Sequence, residues 1–361
     1  PFSSGCILRD SDSSSMRVRE NDTGQIDFAK GGRRDTIRAL LVDLADNDYV
    51  IGELSGFVDG SLSFSYYTTD KTSGEITVTD PAAVGGALVR IVCDMEQGGE
   101  KQRMTLGTYF ASYDSRTELD GAVSASLTLQ STLKRLSDDK MEKEAVYQAG
   151  SWGRSAVEQI LDGCMEPYRY ESEISESLRP STSHAYDIGE TKSTVCNELL
   201  ASLDAASLSV DPDGNAVIRP YVAPSDREVS WVFDDSTAMV VPGIEVSKDS
   251  VPNKVIATST TDGETLSTCL VLGDESEFCA KAVGRYIAEA YDCDAATQEE
   301  LDGMAARYLA EIVSAAETVT ITHLYAPIRE GDVVRLCHES ARGDYMVKSM
   351  EIELVPGLPT K

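Results

Sequence analysis

Three histidines, eight cysteines and two aspartate doublets are the residues of this 361-residue chain whose types could do chemistry. Two carboxylates held at the right separation can act as acid and base on a glycosidic bond, which makes Asp138-Asp139 and Asp234-Asp235 the candidates for such a reaction. Among 61 acidic residues, however, doublets arise by chance, and a doublet in a loop is usually a solvated face. His184, His323 and His338 are too scattered to suggest a shared metal. His323 falls on an alternating strand position and His338 beside a turn, so each is expected at the surface or satisfied by a hydrogen bond. Cys6, Cys93, Cys164, Cys196, Cys269, Cys279, Cys293 and Cys337 show no C-x-x-C pair and no short metal spacing. Reduced structural thiols are expected, with Cys93 and Cys337 inside strand-like runs. Phosphate-loop, zinc-protease, nucleophile-elbow and dinucleotide motifs are all missing. The sequence therefore nominates no catalytic residue, no metal ligand and no cofactor, and an enzyme is not expected.

The elements that would position any site are mainly strands. Arg38–Leu44, Ile51–Val58, Leu62–Tyr67, Glu75–Thr79, Leu88–Cys93, Met104–Phe110 and Val123–Leu129 alternate apolar and polar residues or read as short buried runs, with Gly, Asp and Ser at the turns. Asp46-Asn-Asp48 is the first of those turns. About seven short strands of this kind make an antiparallel barrel or sandwich. After Leu136 the period changes: Ser155-Ala-Val-Glu158 reads as a capping box opening a short helix through Leu161 that Gly163 can terminate. Thr191–Leu203 carries Val195, Leu199, Leu200 and Leu203 on one helical face, and Asp211-Pro-Asp-Gly-Asn215 turns a hairpin. Strands resume at Trp231–Phe233, Ile244–Lys248 and Asn253–Ser259. Thr297-Gln-Glu-Glu300 then caps a helix over 297–316, whose apolar face is expected to lie on the three strands that follow, Thr318–Tyr325, Val333–Cys337 and Tyr345–Val355. The expected plan is an N-terminal arm over 1–33, a β domain over 34–136, an α+β insert over 137–230 and a second β domain over 231–361. The arm is either a flexible tail or a segment that orders against a neighbouring subunit.

The net charge is −29, from 61 acidic and 32 basic residues. Such a chain lacks the cations that gripping phosphates requires, so stable binding of nucleic acid is not expected. Solubility or a saline habitat accounts for acidity of this kind, and so does a surface past which nucleic acid slides without sticking. No run of about 18 apolar residues is present to span a membrane as a helix. The first residues lack the basic-then-apolar order of a secretory signal, which points to synthesis in the cytoplasm.

Taken in order, several segments resemble the tail-hub, or baseplate-hub, proteins of tailed bacteriophages. They are Gly52-Glu-Leu-Ser-Gly-Phe-Val-Asp-Gly-Ser61, Ser73–Asp80, Val89–Val92, Leu106–Phe110, Pro252–Ala257 and Ala305–Leu309. Pro327–Val334, Gly343–Lys348 and Ile352–Gly357 complete the set. The resemblance implies a fold that is mainly β with an α+β insert: two tail-tube-like antiparallel β-barrels plus a small α+β module. It further implies a homotrimer at the distal end of the tail, whose paired barrels imitate sixfold symmetry and adapt a hexameric tail tube to the tip. Implied partners are the tail tube or distal tail protein, the tape measure protein, and a central spike, fibre or receptor-binding protein, with DNA only in transit along an acidic channel. The implied location is the virion, after synthesis in the host cytoplasm. A secreted or surface β-rich binding protein and an acidic hydrolase are the alternatives from other classes.

Overall fold

The computed structural model describes residues 26–28, 32–45, 49–79, 84, 86–119, 122–172, 174–234, 239–246, 251–261, 264–314, 317–338 and 341–361. Alternation in the first third yields β1 (Arg34–Asp43), β2 (Val50–Glu53), β3 (Phe57–Ser65), β4 (Thr72–Val78), β5 (Ala87–Gln97), β6 (Glu100–Leu119) and β7 (Ala122–Ser131). The run expected as one strand, Ile51–Val58, is broken because Gly56 takes φ +75°, a left-handed turn that glycine adopts without strain. The turn expected at Asp46-Asn-Asp48 lies outside the described residues.

The insert holds α1 (Lys134–Ser137), β8 (Ala145–Tyr147), α2 (Arg154–Leu161), β9 (Tyr168–Tyr170), β10 (His184–Tyr186), α3 (Lys192–Ser202), β11 (Ser209–Val210) and β12 (Ala216–Ile218). Helix α3 starts where expected: the Thr194 amide donates to Thr191 Oγ1, and Val195, Leu199, Leu200 and Leu203 are buried. The capping box expected at Ser155 is not formed. Gly153 is the N-cap and makes no side-chain bond, while Glu158 pairs with Arg154 at 3.1 Å and accepts from Tyr170 Oη at 2.7 Å. The helix stops at Leu161, ahead of Gly163, which is not left-handed.

The last part comprises β13 (Val229–Asp234), β14 (Met239–Val246), β15 (Lys254–Thr261), β16 (Glu264–Val271), α4 (Ala280–Val283), β17 (Ala288–Asp292), α5 (Gln298–Ser314), β18 (Glu317–Leu324), β19 (Val333–His338), β20 (Ala341–Met346), β21 (Ser349–Glu353) and β22 (Pro359–Thr360). The capping box of α5 is present: the Glu300 amide donates to Thr297 Oγ1 at 3.2 Å, and the Thr297 amide donates to Glu300 Oε2 at 3.2 Å. Its apolar face meets a different sheet from the one expected. Leu301, Ala305 and Leu309 bury themselves against Val255 and Ala257 of β15 and against Leu266 and Leu270 of β16, so residues 251–314 form a satellite with its own core. Tyr291 of β17 stacks on Tyr308 with ring centroids 4.2 Å apart, a contact that the following strands do not offer. The single run expected at Tyr345–Val355 is divided between β20 and β21, which enter different sheets.

The fold is mainly β with an α+β insert. One ladder of eleven strands runs β14-β18-β22-β21-β3-β4-β7-β6-β5-β1-β2, and it joins the two β halves where β21 pairs antiparallel with β3, Ile352 opposite Leu62. No ladder closes this order among the described residues. Side chains do part of that work instead. β1 stands six places from β21 in the order, yet Asp35 at its start accepts the Gly357 amide at 3.1 Å, and Arg33 pairs with Asp35 at 2.8 Å. The seven strands from β21 to β1 therefore curl until their ends meet through a buried clamp. Glycines permit the curl. A Cβ on Gly74 would lie 2.6 Å from the Ser61 carbonyl oxygen, and one on Gly60 would lie 2.3 Å from that of Glu75, so β3 and β4 approach more closely than any side chain allows.

Sheet β13-β19-β20 covers the concave side, with Trp231, Phe233, Val334 and Leu336 in the same core as Leu62, Ile76, Ile91 and Leu127. Each such side chain contributes about 1.5–3 kcal/mol by leaving water. Ile26 and Phe28 also enter this core, Phe28 lying 6.4 Å from Trp231. The final residues of the expected arm are thus part of the β body, while residues 1–25 lie outside the described ones.

Candidate functional site

Most of the described residues whose types could do chemistry are occupied by local bonds. Asp139 accepts from Lys192 Nζ at 2.5 Å, which holds its carboxyl below the usual range, and Asp138 pairs with Lys134. The doublet thus ties the start of the insert to α3. Asp234 ends β13, and Asp235 lies outside the described residues. His323 is buried with its Nδ1 2.7 Å from the Leu324 carbonyl oxygen and its ring 4.6 Å from Phe233; burial lowers its pKa, so it packs as a neutral ring. His338 ends β19. His184 has Nε2 2.8 Å from Ser202 Oγ and Nδ1 3.7 Å from Asp294 Oδ2, a trio with the composition of a nucleophilic triad. The geometry is otherwise. A distance of 3.7 Å is too long for a hydrogen bond. Thr182 Oγ1 shares Nε2 at 3.2 Å, and the Ser202 hydroxyl donates back to the Glu198 carbonyl. Among the described residues no group of His, Cys, Asp and Glu is arranged to hold a metal ion. The seven described cysteines are free, and burial pushes Cys93 and Cys196 up to about 12, which keeps both as thiols. No helix among the described residues is long and apolar enough to cross a membrane.

What the polar residues do build is a set of joints between the β body, the insert and the satellite. At the first, the tip of the β11–β12 hairpin rests on the main sheet. Gly214 takes φ +88°, the Asn215 amide donates to Asp211 Oδ1, and the tip carbonyls then point at β5–β7. Thr108 Oγ1 donates to the Pro212 carbonyl at 2.8 Å and Thr132 Oγ1 to that of Gly214 at 2.8 Å. Arg90, buried between strands, donates to Thr108 Oγ1 at 2.9 Å and to the Asp213 carbonyl at 3.2 Å. Arg90 was legible only as an odd charge inside the apolar run Leu88–Cys93, with nothing to name its partner.

The second joint centres on Tyr66. Lys71 Nζ and the Arg227 guanidinium lie 5.3 and 5.4 Å from its ring centre, and Arg227 also donates to Tyr66 Oη at 3.1 Å. Lys71 is buried in a left-handed conformation with φ +59°, donates to Ser207 Oγ at 2.8 Å, and is lowered by burial to about 8. Tyr221 and Arg307 continue the joint into the satellite. Tyr221 Oη donates to Glu311 Oε1, the Arg307 guanidinium lies 4.6 Å from the Tyr221 ring centre, and Arg307 pairs with Asp204 at 2.8 Å. Nothing in the sequence pattern marked Lys71, Tyr221 or Arg227 as a joint, because each reaches a partner 90 or more residues away in the chain.

Between hairpin and sheet a cavity of about 40 Å³ is lined by Tyr109, Thr108 and the buried Glu330. Burial raises the Glu330 pKa. A raised carboxyl stabilises the fold below its ordinary pKa, near 4.5, and that stability is lost as pH rises through the folded-state value. Glu330→Gln is therefore expected to raise the thermal midpoint at pH 7 by a few degrees. The gain should shrink to nothing below about pH 4 in paired melting curves.

Joints of this kind hold bodies in a fixed relation, and three solved structures share the fold that carries them here. A tail protein from Neisseria meningitidis aligns with 90% of the chain and 94% of its own length at a TM-score of 0.65 and 14% identity. The chain has the fold of a phage tail protein. The tail protein of prophage MuSo2 from Shewanella oneidensis aligns over 90% of this chain and 96% of its own, with a TM-score of 0.58 and 13% identity. A prophage tail protein from Listeria monocytogenes aligns over 87% and 90%, with a TM-score of 0.51 and 12% identity. No family model matches the sequence, and no curated protein does. At this identity the tail-protein fold is recorded in the order and pairing of elements and has all but left the residue identities.

Proposed function

We propose that the protein is a structural component of a bacteriophage tail, the tail hub at its distal end, where three copies form a ring that adapts the hexameric tail tube to the tip and lines the DNA channel. The tail-protein fold over nine-tenths of the chain carries this reading. The β halves 34–136 and 231–361, joined at β3–β21, would in this reading stand as the two units with which a threefold ring faces a sixfold tube. The insert and the satellite, tied on by the two joints, stand as appendages of that ring. The charge of −29 suits a bore through which DNA passes without phosphate contacts. In this reading the neighbours are the tail tube or distal tail protein and the tape measure protein on one side, and a central spike, fibre or receptor-binding protein on the other. The protein belongs to the virion and performs no catalysis. Light scattering coupled to size exclusion tests the assembly. Three chains of 39.0 kDa in one particle are expected, and a monomer at micromolar concentration would remove the ring.

A further inference from the structure

A cavity of about 660 Å³ lies on the outer face of β1, β5 and β6. Strand register builds it. Arg34 stands opposite Glu96, which stands opposite Lys101; Thr36 stands opposite Asp94, which stands opposite Arg103. Period two places these residues and Arg38 on one face, while Cys93 and Met95 point into the core. Four cations, Arg34, Arg38, Lys101 and Arg103, thus surround two anions, Asp94 and Glu96. The inner cations are consumed: Arg103 holds Asp94 at 2.5 Å, and Arg38 holds both Asp94 and Glu53. The outer ones are held loosely or not at all. Lys101 is 3.9 Å from Glu96 and largely exposed, and Arg34, also exposed, has no carboxylate partner among the described residues.

We infer that this groove is the surface on which a second copy of the chain docks carboxylates of its own, a statement that rests on the proposed ring and gives it a contact. A positive groove on a chain of charge −29 meets its complement on the chain's own remaining surface. In a ring of three each copy meets its neighbour through two different faces, so the contact is head-to-tail. The carboxylates of Asp94 and Glu96 in the middle of the groove interrupt any continuous track of phosphates, which favours a protein surface of alternating charge over nucleic acid.

The test is the dissociation constant of the assembled full-length protein, with Arg34→Glu compared against Lys281→Glu, an equal change of charge on α4 far from β1 in the chain. Arg34→Glu should weaken assembly about tenfold or more while melting like the parent, Lys281→Glu should leave it within about twofold, and added salt should weaken the parent. Equal weakening by both variants, or none by Arg34→Glu, overturns the groove while leaving the ring standing. A parent that never assembles overturns the ring itself. Binding of a 20-base-pair duplex by the parent and not by Arg34→Glu, with assembly unchanged, would assign the groove to nucleic acid instead.

Discussion

Replacing Asp35 with alanine is expected to cost about 3–5 kcal/mol, because it strands the Arg33 guanidinium in a site from which water is excluded. The Arg33 and Asp35 side chains keep only 8% and 1% of their exposure, and the same carboxylate accepts the Gly357 amide from the far end of the sheet. Losing it removes a charge partner and the clamp between β1 and the β21–β22 turn together. The contrast is Asp344, bonded to Arg335 at 2.6 Å across β19–β20 but with both side chains about half exposed. There solvent screens the pair, and Asp344→Ala should change stability by less than about 1 kcal/mol. Replacing both buried partners, as in Arg33→Met with Asp35→Leu, should recover most of the loss, since no charge is then left unpaired. Thermal midpoints of the four proteins decide the matter. A silent Asp35→Ala would mean that the clamp does not hold the curl.

Gly74→Ala is the second large effect. The added methyl would lie 2.6 Å from the Ser61 carbonyl oxygen and 2.8 Å from Leu62 Cδ2, both in the adjoining strand. A flexible side chain could swing away from such a contact, but a ladder carbonyl cannot. β3 must therefore move from β4, and β3 also carries the pairing with β21 that unites the two halves. Overpacking of this kind costs about 1–3 kcal/mol where the surroundings can adjust, and more where they cannot. The expected result is loss of soluble protein or a fall of ten degrees or more in the melting midpoint. Gly303→Ala on α5 is the control, since nothing lies within 4 Å of the added methyl and alanine favours a helix.

How much of this was legible in the sequence depends on the range of the interaction. Thr191 and Thr297-Gln-Glu-Glu300 announce their helices because a cap acts within four residues, and Asp211–Asn215 announces its turn because Gly214 alone meets the left-handed demand. The seven strands of the first β half follow from alternation, apart from the break at Gly56. Strand partners do not follow, since period two states which face a residue takes and leaves open which strand lies beside it. That is why α5 was expected on the strands that succeed it in the chain, while its true partners, Val255 and Ala257, come about fifty residues earlier. The Ser155 box shows the opposite failure, a local signal without its local structure, because Arg154 and Tyr170 take up the Glu158 carboxylate. The order of segments carried the resemblance to tail hubs, and the order of elements is also what the three tail proteins share.

In the proposed ring each chain supplies two barrel-like units. End-on images of the purified assembly test it most directly. Class averages should show three copies as six similar densities around an open centre, whereas particles with a single density per subunit, or with a filled centre, would contradict it.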